Sequence, residues 1–283
     1  MKADAEQVRQ KVREGYSRIA LKQQSCCAKR PCRSADLRQT AKLTQVIGYA
    51  AEDLKVLPIG ADMGLSCGNP TALAALKPGE TVLDLGSGGG LDIFIAGQKV
   101  GPQGRAIGVD MTPEMLAKAR RNIAAYTKRT GRHNVEFRLG EIEHLPVADN
   151  SIDVVISNCV INLSPDKPQV WREIARVLKP GGRAAVSDLA LLKPLPAKIV
   201  AMAEATVGCI AGAVLVKATE RMAQAAGLRD IILTSKPEYV AAMEQWNDSF
   251  YRKMLRALPR GTRPSDLITS LDVSARKPKP RNR

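Results

Sequence analysis

From Thr81 onward, short apolar runs alternate with longer stretches whose apolar residues recur every three or four positions. "TVLDLGS", "RAIGVDM", "NVEFRLG", "IDVVISN" and "RAAVSDLALL" read as five strands. Between them, "LDIFIAGQKVG", "PEMLAKARRNIAAYTKR" and "PDKPQVWREIARVL" read as helices. Pro113 falls in a first helical turn with Thr112 as its expected cap, and "KPGG" stops the third helix. Apolar strands alternating with helices predict βαβ units and a parallel sheet covered on both faces. Upstream, "AEQVRQKVREGYSRIAL" reads as a helix that breaks into "QQSCCAKRPCRS", and the Gly- and Pro-rich "LPIGADMGLSCGNP" leads into the first strand. Beyond residue 193 the chain turns helical and rich in small residues. A further strand, "DIILTS", and a less regular tail follow.

The chain has 283 residues, 45% of them apolar, enough for one large α/β domain with an appendage. No window approaches the roughly 18 apolar residues of a membrane span. The N-terminus lacks the apolar centre of a secretory signal, so a soluble, cytoplasmic protein is expected. The net charge of +15 suggests nucleic acid until it is located. Residues 1–48 carry 11 Lys/Arg against 4 Asp/Glu, residues 251–283 carry 10 against 2, and residues 49–250 balance at 22 against 22. The excess lies in the flanks, and "SARKPKPRNR" reads as a solvated tail, so no dedicated nucleic-acid partner is expected.

"LDLGSGGG" places Asp84 at the end of the first strand, with Gly86, Gly88 and Gly90 spaced two apart. Leu91 occupies the third-glycine place of a dinucleotide fingerprint, which leaves no cradle for a pyrophosphate. Asp110 ends the second strand, where an open α/β sheet forms its ligand crevice, and its carboxylate can accept both ribose hydroxyls of a nucleoside. Asp84 reads as a buried carboxylate that organises the loop backbone.

These elements resemble a class I S-adenosylmethionine-dependent methyltransferase over roughly residues 70–237, with "LKPGG" at 178–182 a further hallmark. The resemblance implies an α/β, Rossmann-like fold: a mostly parallel seven-stranded sheet with helices on both faces, a helical N-terminal extension and a smaller C-terminal substrate-covering region. The division it implies is a basic N-terminal extension with a Cys cluster (1–48), an S-adenosylmethionine-binding methyltransferase domain (49–193), and a substrate-covering segment with the last strands and basic tail (194–283). Gly86, Ser87, Gly88 and Gly90 would contact the methionine portion of the cofactor. Asp110 would hold the ribose, Met111 would lie beside the adenine, Glu141 and Ile142 would form the adenine edge, and Asn158 would sit near the sulfonium.

Six cysteines, Cys26, Cys27, Cys32, Cys67, Cys159 and Cys209, occupy a chain with no export signal, which favours thiols over structural disulfides. A free cysteine is most often a small core hydrophobe. Position counts against that for three of them. Cys159 follows the fourth strand at the crevice edge, Cys209 lies in the covering segment, and Cys67 lies in the loop before the first strand. Thiolates select soft centres, and thiolate-bound trivalent arsenic keeps a lone pair that can attack a sulfonium methyl in line. No proton leaves that nucleophile, so no general base is needed, in keeping with the presence of only His133 and His144. Positioning at roughly 3–3.5 Å would be the catalytic task.

"SCGNPTALAALKPGETVLDLGSG", "GVDMTPEML", "GEIEHLPVAD", "ISNCVINLSPDK" and "GCIAGA" are together similar to arsenite methyltransferases, over roughly residues 55–235. That resemblance implies Cys159 and Cys209 as principal arsenic(III) ligands and Cys67 as the third. Cys26 or Cys27 would pair with Cys67 in a disulfide that a thioredoxin-type system or glutathione reduces. The implied substrate is thiol-bound arsenite or methylarsenite, and the implied product is methylated arsenic, made for detoxification by a monomer. Ser66 stands where the family usually has glycine, and residues 238–283 follow the family only loosely. One competing reading is a methyltransferase acting on a small organic carbon or oxygen nucleophile, which would want a base near its substrate. Another is a thiolate metal- or metalloid-binding protein using Cys26, Cys27, Cys32 and Cys67, for which the adjacent pair is awkwardly spaced. Trp171 and Trp246 read as packing residues, and Asn162 and Asp166 as shapers of the loop that aims Cys159.

Overall fold

The computed structural model describes residues 5–25, 44, 47–200, 210, 212–243, 256–259 and 261–280. Helix α1 (Ala5–Ser25) leads, and α2 (Pro70–Leu73) precedes the first strand. Then come β1 (Thr81–Leu85), α3 (Leu91–Val100), β2 (Arg105–Asp110), α4 (Pro113–Thr130), β3 (Val135–Leu139) and β4 (Ile152–Asn158). The chain continues through α5 (Lys167–Val177), β5 (Leu178–Leu191), α6 (Val216–Ala225), β6 (Arg229–Lys236), α7 (Pro237–Met243) and β7 (Ile268–Arg276).

The strands form one seven-stranded sheet in the order β3-β2-β1-β4-β5-β7-β6. β1 to β5 pair in parallel, and β7 runs antiparallel to both β5 and β6. Two-residue periodicity sorts the core onto two faces. Leu83, Leu85, Val155 and Val186 pack on one face with Val170, Trp171, Ile174 and Val177 of α5. Val82, Val154, Ile156 and Ala185 pack on the other with Ile93, Phe94 and Val100 of α3. Trp171 is 1% exposed, so it is a packing residue as read from the sequence; truncating so large a buried side chain typically costs about 3–5 kcal/mol. Asp166 is the N-cap of α5, its carboxylate accepting from Gln169 N at 3.0 Å, which is helix-start chemistry. Thr112 stands at the N-cap of α4 without a side-chain capping bond.

The C-terminal strand departs from expectation. Ser274–Arg276 are not part of a solvated tail but the end of β7, which lies between β5 and β6 and is buried along nearly its whole length. Its signal is the alternation in "ITSLDVSA", which the adjoining run of lysines, arginines and prolines masks. The last strands therefore complete the same sheet that begins at Thr81. Among the described residues no helix is long and apolar enough to cross a membrane. Cys26, Cys27, Cys32, Cys209 and Trp246 lie outside the described residues.

Candidate active site

The chain lays down β1, β2 and β3 outward on one side and then returns to place β4 on the other side of β1. The carboxyl ends of β1 and β4 therefore flank the topological switch point, where open α/β sheets bind ligands. A cavity of about 110 Å³ opens there.

The loop after β1 needs its glycines for different reasons. Gly86 has φ +67°, and a Cβ there would lie 2.4 Å from Val160 Cγ2, so the loop can pack against the exit of β4 only without a side chain. Gly88 has φ +50° and no atom within 4 Å of where a Cβ would be; its bare backbone faces the cavity. Gly90, also expected to touch a ligand, does not line the cavity: a Cβ there would meet Phe94 and Phe137, so it serves helix packing. Ser87 lines the cavity with part of its surface. Its hydroxyl is buried without a partner, while its N–H donates to Val109 O and its carbonyl accepts from Gly90 N.

Asp110 accepts from Gly88 N at 2.9 Å and from Thr112 N at 2.8 Å, which ties the glycine loop to the end of β2. Asp84 and Asp92 line the same cavity. No hydrogen bond from the loop backbone reaches Asp84 among the described residues. The loop organiser is thus Asp110, and Asp84 faces the ligand space. Burial, reinforced by Asp92 and Asp110, pushes the Asp84 carboxyl well above the usual range. Burial raises Asp92 to about 6 against the hydrogen bonds from Tyr49 and Asn158, and it raises Asp110 against its backbone donors. Three buried carboxylates on one wall make a cavity suited to a cationic ligand bearing a diol.

Met111 and Ile142 line the cavity, whereas Glu141 turns away. Its carboxylate lies 3.5 Å from Arg9 Nε and 3.3 Å from Arg13 Nη2 of α1. Glu143 lines the cavity instead and accepts from Ser164 Oγ at 2.5 Å. Helix α1 packs against α4 and supplies Arg9, Val12 and Tyr16 to the wall, a contribution that its basic composition had concealed.

Asn158 lines the cavity, but its amide works mainly on the neighbouring loop. Oδ1 accepts from Cys67 N at 3.1 Å; Nδ2 donates to Gly68 O at 2.9 Å, Tyr49 Oη at 3.1 Å and Asp92 Oδ2 at 3.2 Å. Tyr49 Oη donates to Asp92 Oδ1 at 2.6 Å. Burial, and next the Asp92 charge, push the Tyr49 hydroxyl well above its usual pKa, so it stays a donor.

Cys67 and Cys159 are brought together. They form a disulfide with Cα atoms 6.0 Å apart, across 92 residues of sequence. Cys159 lines the cavity and has φ +55°, a left-handed backbone uncommon for a residue with a side chain and found where a site demands it. Its N–H donates to Ser187 O at 2.8 Å. The next turn is held by Asp188, which accepts from Asn162 N at 3.1 Å and Asn162 Nδ2 at 2.8 Å. Burial lifts Asp188 to about 7. Ser270 Oγ donates to Cys67 O at 2.9 Å, and Ser187 Oγ to Asp272 Oδ1 at 2.6 Å, with Lys236 paired to Asp272. A sulfur from each cysteine and a carboxylate oxygen of Asp188 lie mutually within 4.8 Å, all on buried residues. Cys67 is bonded to Cys159 here, while Cys26 and Cys27, its expected partners, lie outside the described residues. Asp92, Asp188, Tyr49 and the α1 residues were not singled out from sequence; only Asp92, an acid in the first turn of an otherwise apolar helix, left a usable signal.

Residues 76–227, more than half of the chain, match the methyltransferase domain family. The arsenite methyltransferase of Halobacterium salinarum is 46% identical over 252 residues, covering 86% of this chain and 63% of that protein. The arsenite methyltransferase of Aquipseudomonas alcaligenes is 52% identical over 118 residues, covering 41% of this chain and 34% of that protein. The chain therefore spans less than two thirds of the length of either relative. Among solved structures, the arsenic(III) S-adenosylmethionine methyltransferase of Chlamydomonas reinhardtii superposes with a TM-score of 0.60 at 32% identity, covering 85% of this chain and 74% of that one. The chain belongs to the arsenite methyltransferase family of class I S-adenosylmethionine-dependent methyltransferases.

Proposed function

We propose that the protein transfers methyl groups from S-adenosylmethionine to trivalent arsenic held by its cysteine thiolates, yielding methylated arsenicals for detoxification. The observation that carries this reading is the meeting of Cys67 and Cys159 at the wall of the cavity that the glycine loop and Asp110 define. Two sulfurs within bonding reach of one another form a pincer for a thiophilic centre once reduced.

The residues present fit the cofactor. Asp110 would take the ribose hydroxyls, Met111 and Ile142 would flank the base, and Gly86 and Gly88 would admit the methionine portion to the loop backbone. Asp84 and Asp92 would balance its ammonium and sulfonium charges. The cofactor supplies an electrophilic methyl group when bound. The protein's part is to place the arsenic-bearing sulfurs against the same wall, to bury them, and to exclude water. No side chain needs to remove a proton from the arsenic lone pair.

Arsenite exchanges two hydroxyls for sulfur: two thiols and As(OH)₃ give a dithiolate As–OH and two waters. Cys209 is the proposed third sulfur. Ile210, next in sequence, and Ala213 pack in the same apolar cluster as Cys67 and Cys159. The disulfide form cannot bind arsenic. Attack by the lone pair raises arsenic from +3 to +5; two protein thiols return it to +3 and close as a disulfide, which an external dithiol or two glutathiones reopen, becoming oxidised in turn. The decisive experiment incubates purified protein with arsenite, labelled S-adenosylmethionine and a thiol reductant, followed by arsenic speciation. Methylated arsenic is the expected product; label on an organic acceptor and none on arsenic would reject the reading.

A further inference from the structure

We propose that Tyr49 is a positioning residue whose hydroxyl couples cofactor occupancy to the placement of Cys67. The proposal rests on the reading above only in taking Cys67 as an arsenic ligand. The ring is 3% exposed and packs with Ile47, Leu91 and Ile95, so the hydroxyl is delivered at a fixed point. That hydroxyl donates a hydrogen bond to Asp92 and accepts one from the Asn158 amide. Tyr49 itself does not line the cavity, whereas both main partners do.

A satisfied buried tyrosine is ordinary; what sets this one apart is the work its partners do. Asn158 holds Cys67 N with one end of its amide and Gly68 O with the other. The carboxamide is planar and rigid, so a shift that improves its bond to Asp92 must move its grip on the Cys67–Gly68 peptide groups. Gly68 lies close against the strand beneath it, where a Cβ would come within 2.5 Å of Ser187 Cβ. A cation arriving beside Asp92 competes for that carboxylate and loosens its hold on Tyr49 and Asn158. Linkage requires the converse: the state of the Cys67–Cys159 pair must change the affinity for the cofactor by the same factor.

The test uses the full chain in two forms, reduced by a dithiol and oxidised to the disulfide, with S-adenosylhomocysteine binding followed by calorimetry. In the unmodified protein the two affinities are expected to differ by at least about threefold, and in Tyr49→Phe the ratio falls to about one. In turnover with arsenite, Tyr49→Phe is expected to lower kcat about tenfold while leaving the arsenite KM within about threefold, as a lost hydrogen bond to a charged group would. Equal affinities of the two forms of the unmodified protein would overturn the proposal. So would Tyr49→Phe retaining both the affinity ratio and kcat. If Tyr49→Phe does not fold, Asn158→Ser serves the same comparison. A retained affinity ratio in a protein that never methylates arsenic would sink the proposed function and leave this coupling standing.

Discussion

Cys67 and Cys159 are bonded side chain to side chain at the edge of the cofactor cavity, one preceding the first strand of the sheet and the other following the fourth. On the proposed reading, this bond has to open before the two sulfurs can hold arsenic. Peptide mapping of protein purified without reductant should find the Cys67–Cys159 linkage, and a dithiol should release it. Cys159→Ser and Cys209→Ser should each abolish arsenite methylation while S-adenosylhomocysteine binding stays within about twofold of that of the dithiol-reduced protein. Full activity in Cys159→Ser would dispose of the thiolate mechanism.

Asp110 accepts two backbone N–H bonds and lines the cavity. Asp110→Ala leaves those donors unpaired and, on the proposed reading, removes the partner for the ribose. Losing hydrogen bonds to a charged acceptor costs about 1.5–3 kcal/mol, so cofactor affinity should fall roughly 10- to 150-fold. Calorimetry with S-adenosylhomocysteine reads this directly, and circular dichroism establishes that the sheet remains.

The raised carboxyl of Asp92 gives binding a pH dependence whose sign is fixed. Between its ordinary value of 3.8 and about 6, folded protein keeps a proton that the unfolded chain has released. Its contribution to stability is therefore full below about pH 4 and is lost as pH rises to about 6. A cationic ligand prefers the ionised form, so affinity for S-adenosylmethionine should rise between about pH 5 and 7. Asp92→Asn should flatten that rise. An unchanged slope in the variant would move the effect to Asp84, the neighbouring carboxylate on the same wall.

Gly68 offers a test of how tightly the Cys67 loop is seated. A Cβ at this position would meet Ser187 Cβ at 2.5 Å and Oγ at 2.6 Å, so Gly68→Ala must displace the loop or the strand beneath it. Overpacking of this kind typically costs about 1–3 kcal/mol. The melting temperature should fall accordingly, and arsenite methylation should fall much further than affinity for S-adenosylhomocysteine. Equal losses in both would mean that the loop and the cofactor wall move as one body.

Much of this arrangement was legible in the residues. Period-two apolar runs located β1 to β5, and the glycine spacing with Asp110 located the crevice. What stayed hidden depends on contacts between distant segments. Glu141 reads as a cavity residue by its neighbours, yet two arginines of α1, some 130 positions earlier, draw it away. Asp84 reads as the loop organiser because it ends the strand, but the loop amide at Gly88 turns toward Asp110 instead. The tail reads as solvated because lysines and prolines dominate it, although the buried face of β7 begins a few residues earlier. Tyr49 carries no local signal at all; its role exists only once Asp92 and Asn158 are folded against it.

The place of β7 in the sheet has a consequence for how such a protein is made. Residues 268–276 sit between β5 and β6, and they bring Ser270 and Asp272 beneath the Cys67 loop. On the ribosome, the segments bearing Cys67 and Cys159 emerge well before that strand exists. Until it arrives, Cys67 lacks the Ser270 hydroxyl that holds its carbonyl, and Ser187 lacks the Asp272 carboxylate behind it.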